Sequence, residues 1–182
     1  MDPAPAMLEF ARRQPGAARV EWVEGDASSL GNREADLLVM TGNVAQVFLE
    51  EADWLAALET IHSALRPGGY LACESRNPED RAWEGWNRAE TYVRFDSPNG
   101  PMESWLELVS VGEGRVSFAG HNVFMSTGEV VVAKSELRFR SLAELTDSLT
   151  DSGFIVEHIY GDWNKGPLLS TSRVMIFVAR CN

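Results

Sequence analysis

Apolar residues recur along the chain with two different periods, and the switching between them lays out the elements. From Glu50 to Arg66, Trp54, Leu55, Leu58, Ile61 and Leu65 return every third or fourth position, and the run closes at Pro67-Gly68-Gly69. That spacing predicts an amphipathic helix. Ser141-Leu142-Ala143-Glu144 is a capping box ahead of the apolar positions Leu142, Leu145 and Leu149, with Gly153 placed just past the last turn, so a second helix is predicted over 141–152. Asp2 as N-cap, Pro3 at the first helical position and an apolar side of Met7, Leu8, Phe10 and Ala11 predict a helix within Asp2 to Gln14. Leu37-Leu38-Val39-Met40 and Tyr70-Leu71-Ala72-Cys73-Glu74 are short continuous apolar runs, the pattern of parallel strands covered on both faces. Strand, helix and strand in succession make a parallel crossover unit. The fold class is therefore α/β, with Leu37 to Met40 as a central strand. Val20 to Glu24 reads as another strand ending at Gly25-Asp26-Ala27, and Ser28 to Glu34 as loop.

Beyond the second parallel strand the period changes to two. The runs Ser104 to Val111, Arg115 to Phe124 and Val130 to Arg140 are separated by Gly112-Glu113-Gly114 and Ser126-Thr127-Gly128, which predicts an antiparallel meander. The segment 77–103 before it reads as loop. Residues 77–140 are thus expected to form an insertion within one domain spanning 1–182, covering the ligand crevice without extending the main sheet. Phe154 to Tyr160 and Arg173 to Ala179 are the last strands, joined by a polar loop from Gly161 to Ser172.

Composition narrows the function. A chain of 182 residues with 45% apolar and 24% charged residues is ordinary globular material. Sixteen basic against 27 acidic side chains give a net charge of −11, and the arginines are scattered among Asp and Glu. A basic stripe is missing, so neither nucleic acid nor an anionic membrane is an expected partner. No apolar run approaches the ~18 residues of a membrane span, and the first residues lack a secretory pattern. Cys73 and Cys181 have no Cys or His at metal-ligand spacing and read as buried thiols in a reducing, cytoplasmic setting, with no metal site.

The motifs Asp2-Pro3-Ala4-Pro5-Ala6-Met7-Leu8, Gly25-Asp26-Ala27, Leu65-Arg66-Pro67-Gly68-Gly69-Tyr70-Leu71 and Val174-Met175-Ile176-Phe177-Val178-Ala179-Arg180 occur in this order. As a set they resemble the class I S-adenosylmethionine-dependent methyltransferases, of a bacterial, small-molecule type, over Asp2 to Arg180. The resemblance implies a Rossmann-like sheet, S-adenosylmethionine as cofactor and a small-molecule methyl acceptor. It implies that Asp2 accepts hydrogen bonds from the cofactor ribose, that Met7 packs near the adenine, and that Asp26 with Ala27 meets the adenine amino group. It also implies a first strand and a glycine-rich loop ahead of Asp2. No Gly-x-Gly follows a parallel strand here, so the expectation is an N-terminally incomplete fold. In such a fold the run Leu37 to Met40 needs a second neighbour, supplied by Val20 to Glu24 or by a second copy in a homodimer.

Position alone singles out further residues, because ligands of open α/β sheets gather outside the carboxyl ends of the strands. Thr41, Gly42, Asn43 and nearby Gln46 follow the first parallel strand and are assigned to the cofactor. Glu74, Arg76 and Asn77 follow the second, with Trp83 and Trp86 as aromatic cover on the acceptor side. Trp163, in Gly161-Asp162-Trp163, and His121, in the meander, complete the acceptor-side candidates, while His62 and His158 read as structural. No catalytic residue is assigned. The rivals are a catalytically inactive methyltransferase-like interaction module and a nicotinamide-dependent enzyme, the latter disfavoured by the missing Gly-x-Gly-x-x-Gly loop.

Overall fold

The computed structural model describes residues 1–31 and 35–182, so the end of the loop expected over 28–34 lies outside the described residues. The main sheet has four strands, β1 (Ala35–Met40), β2 (Leu65–Arg76), β7 (Phe154–Tyr160) and β8 (Val174–Cys181), in the order β1-β2-β8-β7. β1 and β2 are parallel, joined by helix α2 (Glu51–Ala64), as the crossover pattern predicts. β8 enters antiparallel between β2 and β7. Pro67-Gly68-Gly69 lies inside β2, at a shift in register between Ala35 and Leu37. A Cβ on Gly69 would stand 2.9 Å from the Ala35 carbonyl oxygen, so only glycine lets the two backbones approach there.

Helices α2 and α4 (Leu142–Asp151) cover one face of this sheet. Trp54, Leu58 and Ile61 of α2 meet Leu145 and Leu149 of α4 over Leu71, Cys73, Phe154, Met175 and Phe177, all buried. Trp54 Nε1 donates to Ser148 Oγ at 2.9 Å, which satisfies the one polar atom of the indole inside the core. The capping box of α4 forms as predicted, Ser141 accepting from the Glu144 N–H and Glu144 from the Ser141 N–H. That second bond, aided by Arg138, holds the Glu144 carboxyl below its ordinary value. A depressed folded value means that this stabilisation is present above the unfolded value of about 4.3 and is lost as pH falls through the lower folded value. Glu144→Gln should therefore lower the melting temperature at neutral pH and leave a smaller difference from the parent chain near pH 3, measured by circular dichroism.

The second sheet is β3 (Val93–Ser97), β4 (Gly100–Gly112), β5 (Arg115–Phe124) and β6 (Glu129–Arg138), an antiparallel meander in sequence order. As expected, among the described residues it forms no ladder with the main sheet. The 77–103 segment is more ordered than the loop predicted from sequence: it holds β3 and the short helix α3 (Arg88–Thr91). Trp86, Val116 and Phe139 form a small core of their own, with Trp83 and Phe118 packed against it.

Three further expectations are corrected. The first helix, α1 (Pro5–Arg12), has Ala4 and not Asp2 at its N-cap position, with Pro5 in place of Pro3 as its first residue and no side-chain cap. Asp2 instead pairs its backbone with Val23 and Gly25, and its Oδ1 accepts from the Ala4 N–H. Val20 to Glu24 is not a strand; only Glu24 makes an isolated bridge, to Asp2, because Ala17–Arg19 winds into a 3-10 turn just ahead of it. Among the described residues β1 is consequently an edge strand and not a central one. Leu38 and Met40 pack against the core, while Leu37 and Val39 on the open face are each 54% exposed. A short apolar run looks the same in sequence whether one or two neighbours flank it. Among the described residues no helix is long and apolar enough to cross a membrane.

Candidate active site

β1 ends at Met40, and the chain turns at Gly42 (φ 73°) and Asn43 (φ 58°) into a 3-10 turn, Val44–Val47. A non-glycine residue in the left-handed region is uncommon, and Asn accepts it better than most. The turn is held by Glu74, near the end of β2. Glu74 Oε1 accepts from the N–H groups of Gly42 at 2.6 Å and Asn43 at 3.2 Å, and Oε2 accepts from Trp163 Nε1 at 2.5 Å. One nearly buried carboxylate thus joins the loops that follow β1 and β7. Sequence reading placed Glu74 at this strand end without giving it a role; an acidic residue closing an otherwise apolar strand was the available signal.

Beside this turn a cleft of ≈ 750 Å³ opens along the β1 edge, lined by Asp2, Asp26, Ala27, Thr41 and the apolar side chains of Val39, Met40, Val44, Val47 and Phe48, among others. The N-terminal segment supplies its opposite wall. Asp26 caps a 3-10 turn, its Oδ1 accepting from the Ser28 N–H at 2.9 Å and Ser28 Oγ at 2.6 Å. These bonds lower the Asp26 carboxyl below its ordinary value, so it is ionised at neutral pH and keeps Oδ2 for another donor. Four of the eight residues assigned to the cofactor, Asp2, Asp26, Ala27 and Thr41, therefore meet around one cleft. Gly42, Asn43 and Gln46 form the turn behind it. Met7 is 57% exposed on α1 and is not among the lining residues. Val23, Val44, Val47 and Phe48 were not picked out from sequence, because isolated apolar residues carry no signal of a pocket.

The acceptor-side candidates separate into distinct surroundings. Arg76 Nη1 donates to Gln46 Oε1 at 2.9 Å, and its guanidinium lies 5.6 Å from the centre of the Trp86 ring. Trp83 and Trp86 pack edge-on against Phe139 and Phe118 respectively. Asn77 is buried and donates to the carbonyls of Ser170 and Ser172, so it braces the 161–172 loop that carries Trp163. His121 stacks on Trp105 and its Nε2 lies 2.7 Å from Glu107 Oε2, which places it on the meander and in neither turn described above. Two polar atoms of the β1 turn, Asn43 Oδ1 and Gln46 Nε2, are buried without a hydrogen-bond partner among the described residues. Native structures rarely leave such atoms unpaired away from a working surface.

A crossover ending in a polar turn, a carboxylate-walled cleft at the strand's carboxyl end and an antiparallel C-terminal strand pair occur together in this chain. An S-adenosylmethionine-dependent methyltransferase from Clostridium acetobutylicum superposes over 99% of the chain and 73% of its own length, with a TM-score of 0.78 at 11% identity. The chain carries the class I methyltransferase fold. The amino pentose methyltransferase CalS10 from Micromonospora echinaspora, a structure with S-adenosylmethionine bound, matches this methyltransferase fold with a TM-score of 0.67 at 20% identity, over 98% of the chain and 71% of its own length. The family model described as "Methyltransferase domain" matches residues 1–69 of the methyltransferase-like chain, the part that holds α1, Asp26 and the β1 turn. The carboxy-S-adenosyl-L-methionine synthase of Salmonella paratyphi C is 36% identical over 107 residues, 57% of this chain and 42% of that protein. The chain thus spans less than half the length of that curated relative.

Proposed function

We propose that the chain binds S-adenosylmethionine in the cleft beside β1 and transfers its methyl group to a small molecule. The observation that carries this reading is the meeting of Asp2, Asp26, Ala27 and Thr41 around one cleft, ≈ 750 Å³ in volume, at the carboxyl end of a parallel strand. That volume lies within the usual range for a bound small molecule, about 300–1,000 Å³. The residues also suit the ligand's chemistry: a mixed wall of aliphatic side chains and Phe48 for an adenine, Asp26 Oδ2 to accept from an amino group, and the Asp2 carboxylate to accept from sugar hydroxyls.

S-adenosylmethionine supplies an electrophilic methyl group, so the protein's contribution is alignment of the acceptor and exclusion of water. Glu74 fixes the turn between cofactor cleft and acceptor side and anchors Trp163 beside it, while Trp83 and Trp86 pack into the small core of the second sheet. The neighbours named as amino pentose and sugar N-methyltransferases support a small, polar acceptor. The curated relatives are named for a different product, carboxy-S-adenosyl-L-methionine, yet that name itself contains S-adenosyl-L-methionine, which favours the cofactor half of the reading. We place the protein in the cytoplasm of a bacterium.

Calorimetric titration with S-adenosylhomocysteine tests this. No Gly-x-Gly turn follows a parallel strand in this sequence, so the dissociation constant is expected at about 1 μM or weaker, that is, near or above −8 kcal/mol. Asp26→Ala should weaken it by about tenfold, the loss of one charge-assisted hydrogen bond. Absence of heat at millimolar ligand would remove the proposal.

A further inference from the structure

We infer that the methyl acceptor carries a carboxylate and that Arg76 holds it. This rests on the reading of the adjoining cleft as the cofactor site, and adds to it the chemical class of the second substrate.

The inference starts from how this acidic chain disposes of its arginines. Among the described residues, four arginines besides Arg76 are wholly or partly buried: Arg115, Arg138, Arg140 and Arg180. Each is ion-paired within 4 Å, to Glu50, Glu144, Glu51 and Glu157 respectively. Arg76 is partly buried and has no such partner among the described residues. Its nearest acidic neighbour along the strand is Glu74, whose two oxygens are taken by Gly42, Asn43 and Trp163. Burial lowers the guanidinium's pKa, and the Glu74 charge only partly opposes this. A guanidinium remains protonated under any physiological condition, so Arg76 is a partly buried cation with no counter-charge in contact among the described residues.

A merely structural arginine would be expected to spread its donors over nearby carbonyls. Arg76 does not: among the described residues only one of its five N–H groups, on Nη1, makes a hydrogen bond, to Gln46 Oε1. The plane of Trp86 supports the group from below. Gln46 is fully buried, and because its oxygen faces Arg76, its Nε2 is the atom left without a partner. The guanidinium is therefore positioned by an amide and an aromatic ring while its remaining N–H groups stay unused. Planar, paired N–H groups held rigid in this way match a carboxylate, which accepts two parallel hydrogen bonds.

Location assigns the carboxylate to the acceptor. Arg76 ends β2 and leans on Trp86, which belongs to the segment leading into the second sheet. It does not line the cleft that Asp2 and Asp26 share. Gln46, which accepts from Arg76, belongs to the same turn as Val44 and Val47 of that cleft.

The test uses the full chain, saturated with S-adenosylhomocysteine and labelled with 15N-arginine. Benzoate and phenylacetate are titrated against their amides, benzamide and phenylacetamide. The acids should shift the Arg76 Nε–Hε resonance saturably and bind at least about tenfold more tightly than the amides, the scale of a hydrogen bond to a charged group. Arg76→Gln should erase the preference, and Arg76→Lys should keep part of it. Equal binding of acids and amides by the parent chain, or a preference that survives in Arg76→Gln, overturns the assignment. A loss of S-adenosylhomocysteine affinity of about tenfold in Arg76→Gln also overturns it, by moving the carboxylate to the cofactor. Failure of the parent chain to bind S-adenosylhomocysteine at all refutes the cofactor reading instead.

Discussion

Trp54→Ala is expected to lower stability by about 3–5 kcal/mol, enough to shift the melting temperature by roughly 10 °C in a chain of this size. The indole is completely buried, touches both the α2–α4 interface and Phe48, and is the donor to Ser148 Oγ. Removing it leaves a cavity, orphans part of the Ser148 hydroxyl's bonding and exposes the underside of Arg140, whose guanidinium lies 5.4 Å from the Trp54 ring. Trp54→Phe retains most of the volume and should recover more than half of the loss. Differential scanning calorimetry measures both; a Trp54→Ala melting temperature within about 3 °C of the parent, equivalent to roughly 1 kcal/mol, would contradict the packing described.

The largest effect on ligand binding is expected from Glu74→Ala. The carboxylate is the shared acceptor for two backbone N–H groups and one indole N–H, so its removal strands three donors around a nearly buried point. Hydrogen bonds to a charged acceptor contribute about 1.5–3 kcal/mol each, although a partly solvated site recovers some of this from water. Affinity for S-adenosylhomocysteine should fall by at least about 30-fold, or 2 kcal/mol, because the Gly42–Asn43 turn loses its anchor. Trp163, freed from Glu74, should show a red-shifted fluorescence component. Glu74→Gln keeps one oxygen but turns an N–H₂ group toward another donor, so it should be nearly as damaging. Wild-type affinity in both variants would mean that the turn holds its shape without Glu74.

Much of this architecture is legible in the sequence where the signal is local. The α2 helix follows from the spacing of Trp54, Leu58 and Ile61, and α4 from the Ser141–Glu144 capping box. The β1–α2–β2 crossover and the separate meander follow from the two apolar periods. Asp26 stands out in the sequence as the middle residue of Gly25-Asp26-Ala27, and the turn that it caps is local, closed within two residues. What the sequence conceals are facts about partners. That β1 is an edge strand depends on which strands flank it, and no pattern within Ala35–Met40 encodes that. Asp2 leaves its capping position because Val23 and Gly25 compete for its backbone. The Glu74 junction links positions 32 and 89 residues away, and the unpaired state of Arg76 is defined by which carboxylates are elsewhere engaged. Such properties exist only after the chain has folded.

The short turn after β1 carries a consequence for how the chain reaches that state. Ala45 accepts from Arg140 across 95 positions, Leu49 from Arg115 across 66, and Gln46 from Arg76 across 30. The meander hairpins close over a few residues each and belong among the early, fast events of folding, whereas Arg115 and Arg140, from the second sheet and the segment just after it, must find residues 44–49 across long loops. Their docking therefore comes late, and the two sheets can each be formed before they are joined. Amide exchange at Val44–Val47 would report that joining step directly, opening at a lower free energy than the ladders on either side.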